Sequence, residues 1–109
     1  MNKNLNILLV CGAGASSSFM AAKMRMAAKE KRLTINIRAR SEGEIGNYLG
    51  DIDALMVGPH LEGDYERLKK IYKDEIAVIL MEKDYYAKLD GKKAVEHLLR
   101  ELEEYSKEK

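Results

Sequence analysis

The chain is poor in the residues that specialise a protein early. It has one cysteine, one proline, one phenylalanine and no tryptophan in 109 residues. A single cysteine excludes an internal disulfide and suits a reducing cytoplasm. Two histidines beside that cysteine make no ligand set for a metal ion. Charge of one sign is missing too, with 19 basic against 18 acidic residues and a net charge of +1. That balance gives no electrostatic reason for nucleic acid or an anionic membrane as partner. No stretch approaches the ~20 apolar residues that cross a bilayer. Lys3, the run Leu5 to Val10 and Ala13-Gly14-Ala15 imitate a signal peptide, and Leu8-Leu9-Val10-Cys11 imitates a lipidation site. Asn6 interrupts a run already short of the ~7–15 apolar residues that export needs, and Val10 is large for the residue before a lipidated cysteine. There is no internal repeat, low-complexity segment or linker. One domain over residues 1–109 is the expectation.

What is present is alternation. Leu5 to Val10 is an apolar run fit for a strand buried on both faces. Ser16 to about Lys31 turns helical, with Met20, Met24 and Ala27 on one face. Leu33 to Ile37 alternates as a strand near a sheet edge does. Glu42 to Leu49 suggests a short helix containing glycines. Ile52 to Val57 is a third strand, stopped by Gly58-Pro59. Asp64 to Tyr72 is a helix with Tyr65, Leu68, Ile71 and Tyr72 on one side. Ile76 to Leu80 is the fourth strand, and Tyr85 to Gly91 a connector. Lys92 to about Ser106 closes the chain as a helix with Val95, Leu98, Leu99, Leu102 and Tyr105 at helical spacing. This order predicts an α/β fold: a single-domain open parallel four-stranded sheet, order 2-1-3-4, flanked by helices on both faces. Sites in such sheets form beyond the C-terminal strand ends where connections diverge, here between strands 1 and 3. The segments Cys11 to Ser18 and Gly58 to Gly63 should meet there.

The first of those segments carries chemistry. Gly12 and Gly14 allow positive φ and close approach to a bound group. Ala13 and Ala15 keep the rim small, and Ser16, Ser17 and Ser18 offer a helix cap and hydroxyls. Backbone N–H groups of such a turn form an anion cradle, and the same positive helix end favours a thiolate at Cys11. The dinucleotide fingerprint fails because Ser17 holds the place of its third glycine, and no Gly-Lys-Ser/Thr completes a Walker loop. The competing structural account is a buried Cys11 that serves only as a small core residue.

The nearest chemical relative is the tyrosine-phosphatase loop, a cysteine followed after five residues by arginine. Ser17 stands in that arginine's place. Arg25 lies about 12 Å further along the helix at ~1.5 Å per residue. No Asp-Pro loop supplies a general acid. A phosphatase needs both groups. A nucleophile and a cradle without them describe a carrier, which takes a phosphoryl group and passes it on. The alternative is a low-molecular-weight phosphatase-like or arsenate-reductase-like thiol enzyme.

The sequence resembles the IIB component of the bacterial phosphoenolpyruvate-dependent sugar phosphotransferase system, in the lactose/cellobiose (diacetylchitobiose) branch. The resemblance rests on Cys11-x-Ala13-Gly14-x-Ser16-Ser17-Ser18 and Lys23-Met24. It continues through Leu55-Met56-Val57-Gly58-Pro59 to Tyr85/Tyr86 with Leu89-Asp90-Gly91. Departures are Ser17 for a frequent threonine, His60 for a frequent glutamine, and Met81-Glu82 for a more usual Ile-Asp. The family implies a topology like the low-molecular-weight tyrosine phosphatases and a cytoplasmic protein peripherally associated with its membrane transporter. It implies that phosphohistidine of a IIA component phosphorylates Cys11, and that Gly12 to Ser17 cradle the phosphate. The phosphocysteine then phosphorylates a sugar held by membrane IIC, a β-linked disaccharide such as cellobiose, chitobiose or lactose. No cofactor is implied.

Four further features stand beside the loop. His60 is either a proton or hydrogen-bond donor to the phosphoryl group or an ordinary surface histidine, and loop exposure favours the second. His97 falls off the apolar face of the last helix and is expected in solvent. Met20, Met24 and Met26 are expected as core and interface filler. Phe19 and Met20, beside the loop, are candidates for an apolar surface that docks IIA and IIC.

Overall fold

The computed structural model describes residues 4–108; within that span the loop 11–14 lies outside the described residues, as do the side chains of Ala15, Ser16 and Glu108. The strands are β1 (Leu5–Val10), β2 (Ile35–Arg40), β3 (Ala54–Val57) and β4 (Ala77–Leu80). The helices are α1 (Ala15–Glu30), α2 (Ile45–Tyr48), α3 (Glu62–Tyr72), α4 (Lys83–Ala87) and α5 (Gly91–Glu108). Tight 3₁₀ turns at Glu42–Glu44, Leu49–Asp51 and Pro59–Leu61 complete the path.

All strand pairs are parallel and the order is β2-β1-β3-β4, as the alternation predicts. In β1 and β3 the side chains divide between two apolar layers. Ile7, Leu9 and Met56 face α1 and α5, packing with Met20, Met24, Ala94, Val95 and Leu98. Leu8, Val10, Leu55 and Val57 face α2 and α3, packing with Ile45 and Leu68. Sealing each such Leu, Ile or Val from water contributes about 1.5–3 kcal/mol, which is why these strands show no polar face. Edge strand β2 does show one: Ile35 and Ile37 are buried while Asn36, Arg38 and Arg40 are exposed.

The outer rim of β2 is occupied by side chains. Thr34 accepts from the Leu5 N–H at 3.0 Å, so the carbonyls of Ile37 and Ala39, odd-numbered steps away, point outward. Arg25 donates to the Ile37 carbonyl through Nε at 3.1 Å and a terminal nitrogen at 2.7 Å. Arg40 donates to the Ala39 carbonyl at 2.8 Å and to the Tyr48 hydroxyl at 2.9 Å.

Several expectations shift in detail. The second strand starts later and runs further than Leu33 to Ile37, because Arg32 turns the chain back (φ 59°) and delays pairing until Ile35. Ile71 is 56% exposed although it shares a helix with buried Leu68. Here α3 covers the sheet through a narrow stripe of Tyr65, Leu68 and Tyr72. The Tyr85 to Gly91 connector is largely helix. Tyr85 and Tyr86 belong to α4, and both are buried. Met26 lies in solvent, 59% exposed, while Met20 and Met24 are in the core. Among the described residues, no helix is long and apolar enough to cross a membrane.

Candidate functional site

The parallel sheet sets the C-terminal ends of β1, β3 and β4 side by side. Hydrogen bonds continue past the strands: the Gly58 N–H donates to the Val10 carbonyl at 2.7 Å, and the Met81 N–H to the Val57 carbonyl at 2.8 Å. The turn after β3 is thereby fastened to the last residue of β1. Cys11, the next residue in sequence, lies outside the described residues, with Gly12, Ala13 and Gly14. Ala15 and Ser16 are described only as backbone of α1.

The helical side of that loop is visible from Ser17 onward. Ser17 is 2% exposed and its side chain is not free of partners. Ser18 faces solvent. Phe19 is 64% exposed, whereas Met20 is fully buried, so one of the two residues considered for a docking surface has an outward side chain. Arg25, two turns further on, is committed to the β2 rim through the Ile37 carbonyl. No guanidinium on α1 is thus available where a phosphatase loop would place one.

The opposite wall is the turn Gly58–Leu61. Gly58 is extended, Pro59 opens the 3₁₀ turn where its missing N–H costs nothing, and the Leu61 N–H closes it on the Gly58 carbonyl at 2.9 Å. His60 is exposed, as its loop position suggested. Its ring is not loose, however: it meets the buried Tyr86 ring edge to face, with centroids 5.6 Å apart and planes at 74°. Such aromatic pairs add about 0.5–1.5 kcal/mol beyond area burial. Tyr86 therefore steadies the turn from α4.

Behind Tyr86 stands a pair that sequence reasoning missed. His97 is 8% exposed, so the expectation of a solvated histidine is corrected. It lies one residue before buried Leu98 and three after buried Ala94, and α4 packs over this flank of α5 and covers it. Its Nδ1 is 2.6 Å from the Tyr85 hydroxyl, and the two rings meet at 68°. Burial pushes the Tyr85 phenol well above its ordinary value of 10, so it keeps its proton. The Glu101 carboxylate, which can only accept, lies 3.9 Å from Nε2; this assigns the ring proton of neutral His97 to Nε2 and leaves Nδ1 to accept from the Tyr85 hydroxyl. Burial lowers the His97 pKa from its ordinary 6.5; Glu101 and then Glu82 oppose that shift. The available signal was the tyrosine pair at Tyr85-Tyr86, twelve residues before His97 and too apolar for an open connector.

Among the described residues no group of three His, Asp or Glu side chains gathers as a metal site would.

The fold matches known proteins. The lactose-specific IIB component domain of the phosphoenolpyruvate:carbohydrate phosphotransferase system from Streptococcus pneumoniae superposes with a TM-score of 0.80 at 19% identity, over 91% of this chain and 98% of that one. The cellobiose-specific phosphotransferase IIB component from Borrelia burgdorferi superposes with a TM-score of 0.76 at 26% identity, over 93% and 94%. No curated protein matches in sequence. A family model described as the lactose/cellobiose-specific IIB subunit of the phosphotransferase system matches residues 6–97, a span that includes Cys11 and both histidines. The chain belongs to that family, the lactose/cellobiose-specific IIB subunits of the sugar phosphotransferase system.

Proposed function

We propose that this protein is a cytoplasmic phosphocarrier whose working atom is the Cys11 sulfur. The family assignment over residues 6–97 carries the reading, together with a cysteine that immediately follows the central strand β1. The thiolate attacks the phosphorus of a phosphohistidine on the IIA component. The N–P bond breaks as the S–P bond forms, and the imidazole leaves. In the second step a hydroxyl of the sugar bound to membrane IIC attacks the same phosphorus. The S–P bond breaks, the thiolate is regenerated and the hydroxyl proton is released. The preferred acceptor is a β-linked disaccharide such as cellobiose, chitobiose or lactose. The protein meets its transporter peripherally at the membrane surface.

Each part of the loop has a task in this scheme. Backbone N–H groups from Gly12 to Ser17, with the hydroxyls of Ser16, Ser17 and Ser18, balance the phosphoryl charge and hold the thiol ionised. Arg25 is tied to β2, and Ser17 occupies the place of a clamping arginine, so hydrolysis of phosphocysteine lacks its charge stabiliser. His60 is an accessory at most: its ring meets Tyr86 edge to face and lies in solvent.

The test is intact-mass measurement after incubation with phosphorylated IIA. One phosphoryl group should add to the wild type and none to Cys11→Ser. Absence of an adduct with every cognate IIA, together with turnover of an aryl phosphate, would establish the phosphatase-like alternative instead.

A further inference from the structure

The buried Tyr85–His97 pair lies outside the loop that handles phosphate, yet it connects to that site by direct contacts. Nδ1 of His97 on α5 and the Tyr85 hydroxyl on α4 lie 2.6 Å apart, and with the ring proton assigned to Nε2 beside Glu101, Nδ1 is the acceptor. Tyr86, the next residue of the same short helix, meets His60 across 5.6 Å. His60 belongs to the turn whose Gly58 N–H is bonded to Val10, the residue before Cys11. With five residues, α4 is too short to hold itself in place. Its far end is fixed by the Leu89 and Asp90 N–H groups, which donate to the Tyr86 and Tyr85 carbonyls at 3.1 and 2.9 Å. Its side-chain grip on α5 includes the bond to His97.

We propose that Tyr85 and His97 are positioning residues: their hydrogen bond sets α4, and through Tyr86 the His60 turn, and protonation of His97 releases that setting.

A protonated His97 has no lone pair at Nδ1, so it can no longer accept from Tyr85. Both groups would then present protons across 2.6 Å, and the phenol must turn away or become the acceptor. The new cation also sits in a buried interface, which is costly unless it is paired. The titratable and charged groups around it are Tyr85 and Glu82 from the α4 side, and Arg100 and Glu101 from α5 itself. Glu101 is the nearest carboxylate, 3.9 Å from Nε2 and partly exposed. The imidazolium is drawn more strongly toward Glu101 on α5 than toward Glu82 on the α4 side. The lowered pKa of His97 fits a group held neutral by this packing. The proposal concerns the turn itself and holds whether or not Cys11 carries phosphate.

The chain has two histidines, so its imidazole Cε1–H signals are two, assigned by His60→Gln. A titration by NMR from pH 8 to pH 4.5 follows both signals and the amides of Gly58, His60 and Leu61. In the wild type, the His60 signal and the turn amides should show a second inflection at the midpoint of His97. In Tyr85→Phe that inflection should vanish while His97 still titrates. The turn amides of this variant should already lie, at pH 7.5, near the wild type's acid-limb positions. A single His60 inflection in the wild type would overturn the proposal. So would a second inflection that survives Tyr85→Phe.

Discussion

Gly91 is a residue whose necessity lies in space rather than in backbone torsion. A Cβ built there falls 2.3 Å from both the carbonyl carbon and oxygen of Lys23, and 2.8 Å from the Met24 nitrogen. Those atoms are backbone of α1 and cannot swing aside as a side chain could. The glycine lets the start of α5 touch α1 and closes the layer around Met24, Ala94 and Leu98. Gly91→Ala should lower stability by about 1–3 kcal/mol, toward the upper end because helix backbone must move. The check is a urea transition with a reduced midpoint and an unchanged slope. Asp90 beside it caps the helix, accepting from the Lys93 N–H at 3.1 Å. The Leu89-Asp90-Gly91 run that marks the family resemblance thus combines a helix stop, a cap and a close approach.

Helix ends show why some boundaries could not be read from residue types. Both α1 and α4 terminate in the same six-residue hydrogen-bonded pattern, with a left-handed residue that is not glycine. After α1 the left-handed residue is Arg32 (φ 59°): its N–H donates to the Lys29 carbonyl at 3.0 Å, and the Leu33 N–H reaches Ala28 at 2.9 Å. After α4 it is Leu89 (φ 52°). Arginine and leucine carry no turn signature, so residue types alone place the start of β2 too early and leave α4 as a connector. The cost of holding a side chain at positive φ is about 1–2 kcal/mol. Arg32→Gly removes that strain but loosens the unfolded chain by about 0.4–1 kcal/mol. A net gain of about 0.5 kcal/mol should therefore appear as a small rise in melting temperature; a loss would mean that the Arg32 side chain contributes packing. The longer elements were readable because period alone decides them: continuous apolar β1 and β3, and the Val95, Leu98, Leu102 stripe of α5.

At the scale of the whole molecule, the buried imidazole makes stability depend on pH. The folded-state pKa of His97 lies below its unfolded value of 6.5. Between those two values the unfolded chain binds a proton that the folded chain refuses, so stability rises with pH there. Wild-type protein should hold its stability above about pH 6.5 and lose it progressively as pH falls through that window to the lowered native pKa. His97→Gln should flatten this limb, read from denaturant midpoints at a series of pH values; identical slopes would show that His97 is not the group responsible. Sheet order, helices on both faces and the meeting of the β1 and β3 ends were readable from alternation and connection rules. His97 and Ile71 were not. The His97 flank is buried by α4, the element the residue types conceal, whereas Ile71 falls outside the narrow stripe of Tyr65, Leu68 and Tyr72 through which α3 meets the sheet. Of the candidate site, the cysteine loop is proposed from residue chemistry, whereas the Tyr86 support of His60 arises only in the packing of α4.

The arginines along β2 have a consequence for behaviour in a crowded cell. An edge strand with free outward carbonyls is a template on which another chain can zip. Here Arg25 and Arg40 have taken the carbonyls of Ile37 and Ala39, and a charged ridge stands where a newcomer's amides would dock. A small parallel sheet guarded in this way resists growing into a fibril.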